Sequence, residues 1–125
     1  MLKKTRGKMK LSEIQKILDA TVLYGHDRLE DDVFACGAAD LMEDVLQATA
    51  KGAVLLTGLT TVDVVRICTI MEICAVVFVR GKMPDDATLE LAQIYNLPLL
   101  STTRSLFVSC GRLYMNGLRG LDGYW

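Results

Sequence analysis

The sequence predicts a single-domain α/β layered sandwich, a mainly parallel sheet of about five strands with helices on both faces. Three observations predict it. The apolar runs Ala53–Thr57, Ala75–Val79 and Leu97–Leu100 are short and continuous, as strands buried on both faces read. Segments of helical periodicity separate them, so the connections are crossovers, which demand parallel pairing and a right-handed turn. Each run also gives way to a small polar or basic loop: Gly58-Leu59-Thr60-Thr61, Arg80-Gly81-Lys82 and Ser101-Thr102-Thr103-Arg104. Residues 53–104 thus form a βαβαβ unit, and the rest of the chain extends it.

In chain order, Ser12 can cap a helix, with Gln15 completing a capping box and Ile14, Ile17 and Leu18 as its apolar stripe. Thr21–Tyr24 reads as a strand ended by Gly25, His26–Asp32 as a polar loop, and Val33–Cys36 as a second strand ending at Gly37. These two strands are expected at an edge or in antiparallel register. Asp40 is expected to cap the next helix, with Glu43 at the box position and Met42, Val45 and Leu46 inward. Lys51-Gly52 ends it, glycine suiting the left-handed position after a helix.

The third helix spans about Thr61 to Glu72. Val64, Ile67, Cys68 and Met71 make one buried face. Val62, Val65 and Ile70 lie off that face among charged residues, more apolar surface than one sheet needs. Val65 and Ile70 are therefore the candidate interface residues of a homodimer, since two-fold pairing is the commonest way to hide such a patch.

Asp85 or Asp86 caps the fourth helix, whose stripe is Ala87, Leu91, Ile94 and Tyr95, and Asn96 ends it. The fifth spans about Thr103 to Met115, with Leu106, Cys110, Leu113 and Tyr114 inward. Gly111 inside it costs about 1 kcal/mol against alanine, which points to close packing against a neighbour. The chain divides into a basic extension over residues 1–10, the α/β domain over 11–118, and a glycine-punctuated tail over 119–125.

Composition bounds the function. A chain of 125 residues fits one domain, and its 51% apolar content leaves a surplus for a second buried surface such as a subunit contact. The longest strictly apolar run, Ile73–Val79, has seven residues, whereas a membrane span needs about 20. Five of the 14 basic residues (Lys3, Lys4, Arg6, Lys8 and Lys10) fall in the first ten positions. The polar Leu11-Ser12-Glu13-Ile14-Gln15 follows, where a signal peptide would have its apolar stretch, so the basic start reads as a frayed terminus. The remainder carries 9 basic against 15 acidic residues, a net of −6, opposite in sign to a nucleic-acid-binding domain. The four cysteines, Cys36, Cys68, Cys74 and Cys110, form no Cys-x-x-Cys pair and sit in apolar segments. They read as small buried thiols of a reducing cytoplasm. His26 builds no metal site with them at any standard spacing, and neither metal nor cofactor is expected.

In parallel sheets ligands bind beyond the carboxyl ends of the strands. Those ends carry Gly58, Thr60, Thr61, Arg80, Lys82, Ser101, Thr102 and Arg104, hydroxyl-rich and basic loops that could hold an anion with the help of helix N-termini. The same residues also suit ordinary caps and solvated turns. There is no Gly-x-x-x-x-Gly-Lys-Ser/Thr loop and no Gly-x-Gly-x-x-Gly after any strand, which argues against a P-loop phosphotransferase. The carboxylate pairs Asp31-Asp32, Glu43-Asp44 and Asp85-Asp86 sit where loops and caps want acids, with no base or metal ligand near them in sequence. No catalytic residue is assigned.

From about Met9 to Leu118 the chain resembles a DRTGG-domain protein. The resemblance rests on Ala35-Cys36-Gly37, the stretch Asp40–Leu46, Leu55–Thr60, Val76–Asp85, and Leu100-Ser101-Thr102 through Cys110-Gly111-Arg112-Leu113-Tyr114. The motif that names the family is not intact: residues 32–37 read Asp-Val-Phe-Ala-Cys-Gly. The family's domain is similar to the N-terminal domain of HPr kinase/phosphorylase, occurs beside CBS domains in regulated pyrophosphatases, and is found as stand-alone copies near iron-only hydrogenase genes. The resemblance implies a non-catalytic regulatory or scaffolding module that dimerises and acts on a partner enzyme, which could be a hydrogenase. The alternative is a small-molecule sensor binding a nucleotide or phosphorylated ligand at the strand-end loops.

Overall fold

The protein is described here by a computed structural model covering residues 8–46 and 50–122. The basic residues Lys3, Lys4 and Arg6 and the last three positions of the tail lie outside the described residues.

The chain runs β1 (Met9–Lys10), α1 (Leu11–Leu18), β2 (Thr21–Tyr24), a 3₁₀ turn (His26–Arg28), β3 (Asp32–Val33), β4 (Ala35–Ala38), α2 (Met42–Leu46), β5 (Ala53–Thr57), α3 (Val62–Ile70), β6 (Ala75–Phe78), α4 (Asp86–Tyr95), β7 (Leu99–Ser101) and α5 (Leu106–Met115). The five-stranded sheet has the order β2-β7-β6-β5-β4. Strands β4 to β7 are parallel, and β2 joins β7 antiparallel at the far edge. The fold class is thus the one expected, with one early strand at each edge of the sheet and β2 alone antiparallel.

Successive side chains of a strand point to opposite faces, and here both faces are dry. Val54, Leu56, Ala75, Val77 and Leu100 face Leu11, Ile14 and Leu18 of α1 and Leu113 of α5. Leu55, Val76, Phe78 and Leu99 face Val45 of α2, Val64, Val65 and Cys68 of α3, and Ala92 of α4. The three crossover helices share one face because β4 to β7 advance across the sheet in one direction, and right-handed crossovers then all fall on one side.

Several sequence expectations are corrected. Met9 and Lys10, assigned to the extension, form β1, which pairs antiparallel with β3. Lys10 Nζ reaches Asp32 Oδ1 at 3.0 Å. Helix α1 is capped at Lys10, whose amide donates to Glu13 Oε1 at 2.8 Å, so Ser12 is already inside the helix. Tail residues 119–121 belong to the fold, since the amide of Cys36 on the β4 edge donates to Arg119 O at 2.9 Å.

Val65 is fully buried in the domain's own core, whereas Ile70 is exposed. Val65 is therefore not available as an interface residue. In α4 the buried residues are Thr88 and Ala92, and Ile94 and Tyr95 face outward. In α5 Ser109 and Leu113 are buried and Tyr114 is exposed. The cap of α5 is Ser105, whose Oγ accepts from Val108 N at 3.1 Å.

Candidate functional site

Parallel strands place all their carboxyl ends on one side of the sheet, so the loops after β4, β5, β6 and β7 form one rim. The rim is cross-linked by its main chain. Arg80 N donates to Arg104 O at 2.8 Å, and Gly81 N donates to Thr102 O at 2.8 Å. Of the predicted residues, Gly58, Arg80, Lys82 and Arg104 lie in these loops in partly or fully exposed positions.

The hydroxyls expected to line the rim turn inward instead. Ser101 is buried and its Oγ donates to Lys82 O at 2.9 Å. Thr102 is buried and its Oγ1 donates to Leu18 O at 2.7 Å. These two residues tie β7 to the β6 loop and to the end of α1. Thr61 stands at the N-cap of α3 but makes no side-chain cap bond. Thr60 contributes its carbonyl, which accepts from Thr88 Oγ1 at 3.0 Å and fixes the loop to α4.

Asp40, read from sequence as a helix cap, is a rim residue. Its Oδ1 accepts from Gly58 N at 2.8 Å and from Thr57 Oγ1 at 3.2 Å. Thr57 Oγ1 in turn accepts from Leu59 N at 3.1 Å. The available signal is position: Asp40 stands just past the end of β4, after Ala39, as Gly58 stands just past the end of β5. Over Gly58, a β-carbon would stand 3.0 Å from Arg80 Nη2 and 3.6 Å from Asp40 Oδ1. A guanidinium and a carboxylate therefore converge on this one glycine, and no larger residue fits beneath them without displacement.

Arg80 holds its place at a conformational cost. Its φ is 57°, in the left-handed region, as is the following Gly81 at 70°. A non-glycine residue there is uncommon. Arg104 Nε is buried and, among the described residues, has no hydrogen-bond partner, an unsatisfied donor beside the rim.

The thiols lie elsewhere. Burial pushes the Cys36 and Cys68 thiols up to about 12 and that of Cys74 up to about 11, while Cys110 is raised by the same cause. All four are free and, being protonated at neutral pH, are weak nucleophiles. Among the described residues no group of three His, Cys, Asp or Glu side chains is placed to hold a metal ion, and no helix is long and apolar enough to cross a membrane.

No curated protein matches the chain. Among solved structures, the chain is similar to the CBS and DRTGG domains of the regulatory region of Clostridium perfringens pyrophosphatase, a structure complexed with the activator diadenosine tetraphosphate. The TM-score is 0.70 at 18% identity, over 94% of this chain and 50% of that one. The chain thus spans about half the length of the structure it matches, and at that identity the likeness is one of fold. The family model for the DRTGG domain matches residues 13–113. Since that match takes in every strand of the five-stranded sheet, the chain belongs to the DRTGG domain family.

Proposed function

We propose that this domain is a non-catalytic regulatory or scaffolding module of the cytoplasm, one that dimerises and acts on a partner enzyme. The observation that carries the reading is unspent apolar surface. Phe107, Tyr114 and Met115 on α5 stand exposed, as do Ile70 at the end of α3 and Ile94 on α4. Exposed apolar side chains gathered on one helix, as Phe107, Tyr114 and Met115 are on α5, mark a contact with another protein. Support also comes from the family, whose similar domain in the clostridial pyrophosphatase belongs to a regulatory region. An iron-only hydrogenase is the candidate partner enzyme on the family resemblance. Light scattering at micromolar concentration should give twice the mass of the chain, and a monomer would refute dimerisation.

A second reading is favoured by the rim. Arg80 over Gly58 and the unpartnered Nε of Arg104 suit an anionic ligand, because a guanidinium can hold two phosphate oxygens at once. The similar clostridial structure is complexed with a dinucleoside tetraphosphate. On this reading the module senses a nucleotide or phosphorylated ligand at Arg80, Lys82 and Arg104. A thermal-shift screen with nucleotides, diadenosine tetraphosphate included, tests it. A ligand at a hundredfold excess over its Kd stabilises by about 2.7 kcal/mol. Arg80→Ala and Arg104→Ala should remove the shift. If both variants melt lower and bind unchanged, the arginines are structural and the sensor reading fails.

A further inference from the structure

We propose that α5 is the surface on which two copies of this chain meet, crossing antiparallel about a two-fold axis at Gly111. The inference rests on the dimer reading above and moves the contact away from α3, whose Val65 is spent on the core.

Gly111 lies in the middle of a ten-residue helix, it is exposed, and among the described residues nothing beyond its chain neighbours and its own helix backbone lies within 4 Å of where its β-carbon would be. Neither a turn nor a close approach within the fold calls for it. A helix-interior glycine does, however, let another helix approach its backbone.

The residues around it are arranged for a second copy of the same helix. In an antiparallel two-fold crossing, residues equally far before and after the crossing point face each other. About Gly111 those pairs are Phe107 with Met115 and Val108 with Tyr114. Each aromatic ring then meets an aliphatic or thioether side chain, and sulfur–ring contact is favourable. A parallel crossing would instead set Arg112 beside its own copy, whereas the antiparallel one sets it opposite Cys110.

The area suffices. Phe107 is 88% exposed, Met115 85%, Tyr114 49% and Val108 40%. Aromatic side chains bury 150–250 Å² each when fully covered, so these four offer on the order of 500 Å² per copy and roughly 1,000 Å² over both, the lower bound for a specific interface. The surface continues into an apolar groove of about 410 Å³ between α5 and the β4 edge, lined among others by Cys36, Ala38, Phe107, Gly111 and Tyr114. The partner's helix would close the groove from above.

The test is oligomeric state by sedimentation over 1–100 μM. Gly111→Arg should raise the dimer Kd at least a hundredfold, and Phe107→Glu should do the same. Ile94→Glu, on the opposite face of the sheet, should leave it unchanged. Because a β-carbon at position 111 points into open space among the described residues, Gly111→Arg should melt as a folded monomer. As a positive test, Gly111→Cys combined with Cys110→Ser should cross-link to itself on mild oxidation, since the two copies of position 111 lie within disulfide reach at the crossing. A wild-type dimer that survives Gly111→Arg, or a Gly111→Cys variant that forms no cross-linked dimer, overturns the α5 interface and leaves dimerisation itself standing. A wild-type monomer at 100 μM overturns both.

Discussion

The carboxylate of Asp40 accepts a hydrogen bond from the amide of Gly58 at 2.8 Å, and so fills from within the chain the place a bound anion would take at the end of β5. It also lies near the guanidinium that would draw the anion in. Asp40→Ala should therefore strengthen nucleotide binding at the rim, by about tenfold or more. It should also lower stability by about 1 kcal/mol through the lost hydrogen bonds. Titration calorimetry and urea unfolding measure the two effects; unchanged affinity would mean that Asp40 does not compete for the site.

The left-handed backbone of Arg80 offers a second test, because its strain and its charge can be separated. Glycine adopts φ near 57° without the clash a β-carbon brings, so Arg80→Gly should stabilise the domain by about 1 kcal/mol. The same change removes the guanidinium and should abolish anion binding. A melting temperature that falls would show that the Arg80 side chain contributes more to the fold than its backbone costs.

Thr102 is expected to matter for stability alone. Its buried hydroxyl donates to Leu18 O and accepts from Arg104 N at 3.2 Å. Thr102→Val keeps the shape and leaves both groups without their partner, at about 1–3 kcal/mol. Chemical denaturation should show a shifted midpoint with an unchanged slope.

Thiol chemistry should follow burial. With Cys36 and Cys68 pushed up to about 12 and Cys74 up to about 11, native protein at neutral pH should react slowly with a thiol reagent. Denatured protein should release all four thiols at once. Cys36, Cys74 and Cys110 are half-buried whereas Cys68 is buried, so Cys68 should be the last to react in the native state. Rapid modification of Cys68 would contradict its burial between α3 and the sheet.

Acid should loosen two carboxylate contacts. Hydrogen bonds from Lys10 hold the Asp32 carboxyl below its usual 3.8, and hydrogen bonds from Thr88 do the same for Asp85. A depressed value in the folded state means the contribution is complete above the unfolded value of about 4 and is lost as pH falls through the folded one. Asp85→Asn keeps an N-cap acceptor but cannot titrate. It should flatten the fall in melting temperature below pH 4 relative to the parent. An identical acid slope in both proteins would assign the fall to other groups.

How far the sequence could be read depended on what each residue signals. The β5, β6 and β7 runs announce strands because they are apolar on both faces, and parallel pairing then gathers Gly58, Arg80 and Arg104 on one rim without further information. Lys10 and Asp32 sit in two-residue strands, too short to carry any periodicity. The role of Asp40 is not legible in sequence because a carboxylate two residues before a helix can cap it or reach sideways, and only tertiary structure decides between them. In α4, apolarity pointed to Ile94, but the side packed in the core carries the smaller Thr88 and Ala92. Periodicity weighs hydrophobicity and does not see the size that close helix packing demands. Ser101 and Thr102 were legible as polar, not as inward-facing.

The order of strands in the sheet also governs how the fold assembles. Neighbours β4 to β7 are consecutive in the chain, so each parallel pair closes a short loop. The antiparallel pair is different: Thr21 lies opposite Ser101, a closure of about 80 residues, whose entropic cost exceeds that of a 20-residue crossover by about 1 kcal/mol. The parallel half should therefore form the folding nucleus, with β2 and α1 docking onto it late. In the native state the amides of β2 are expected to exchange with solvent before those of β5 and β6, fraying the sheet from its antiparallel side.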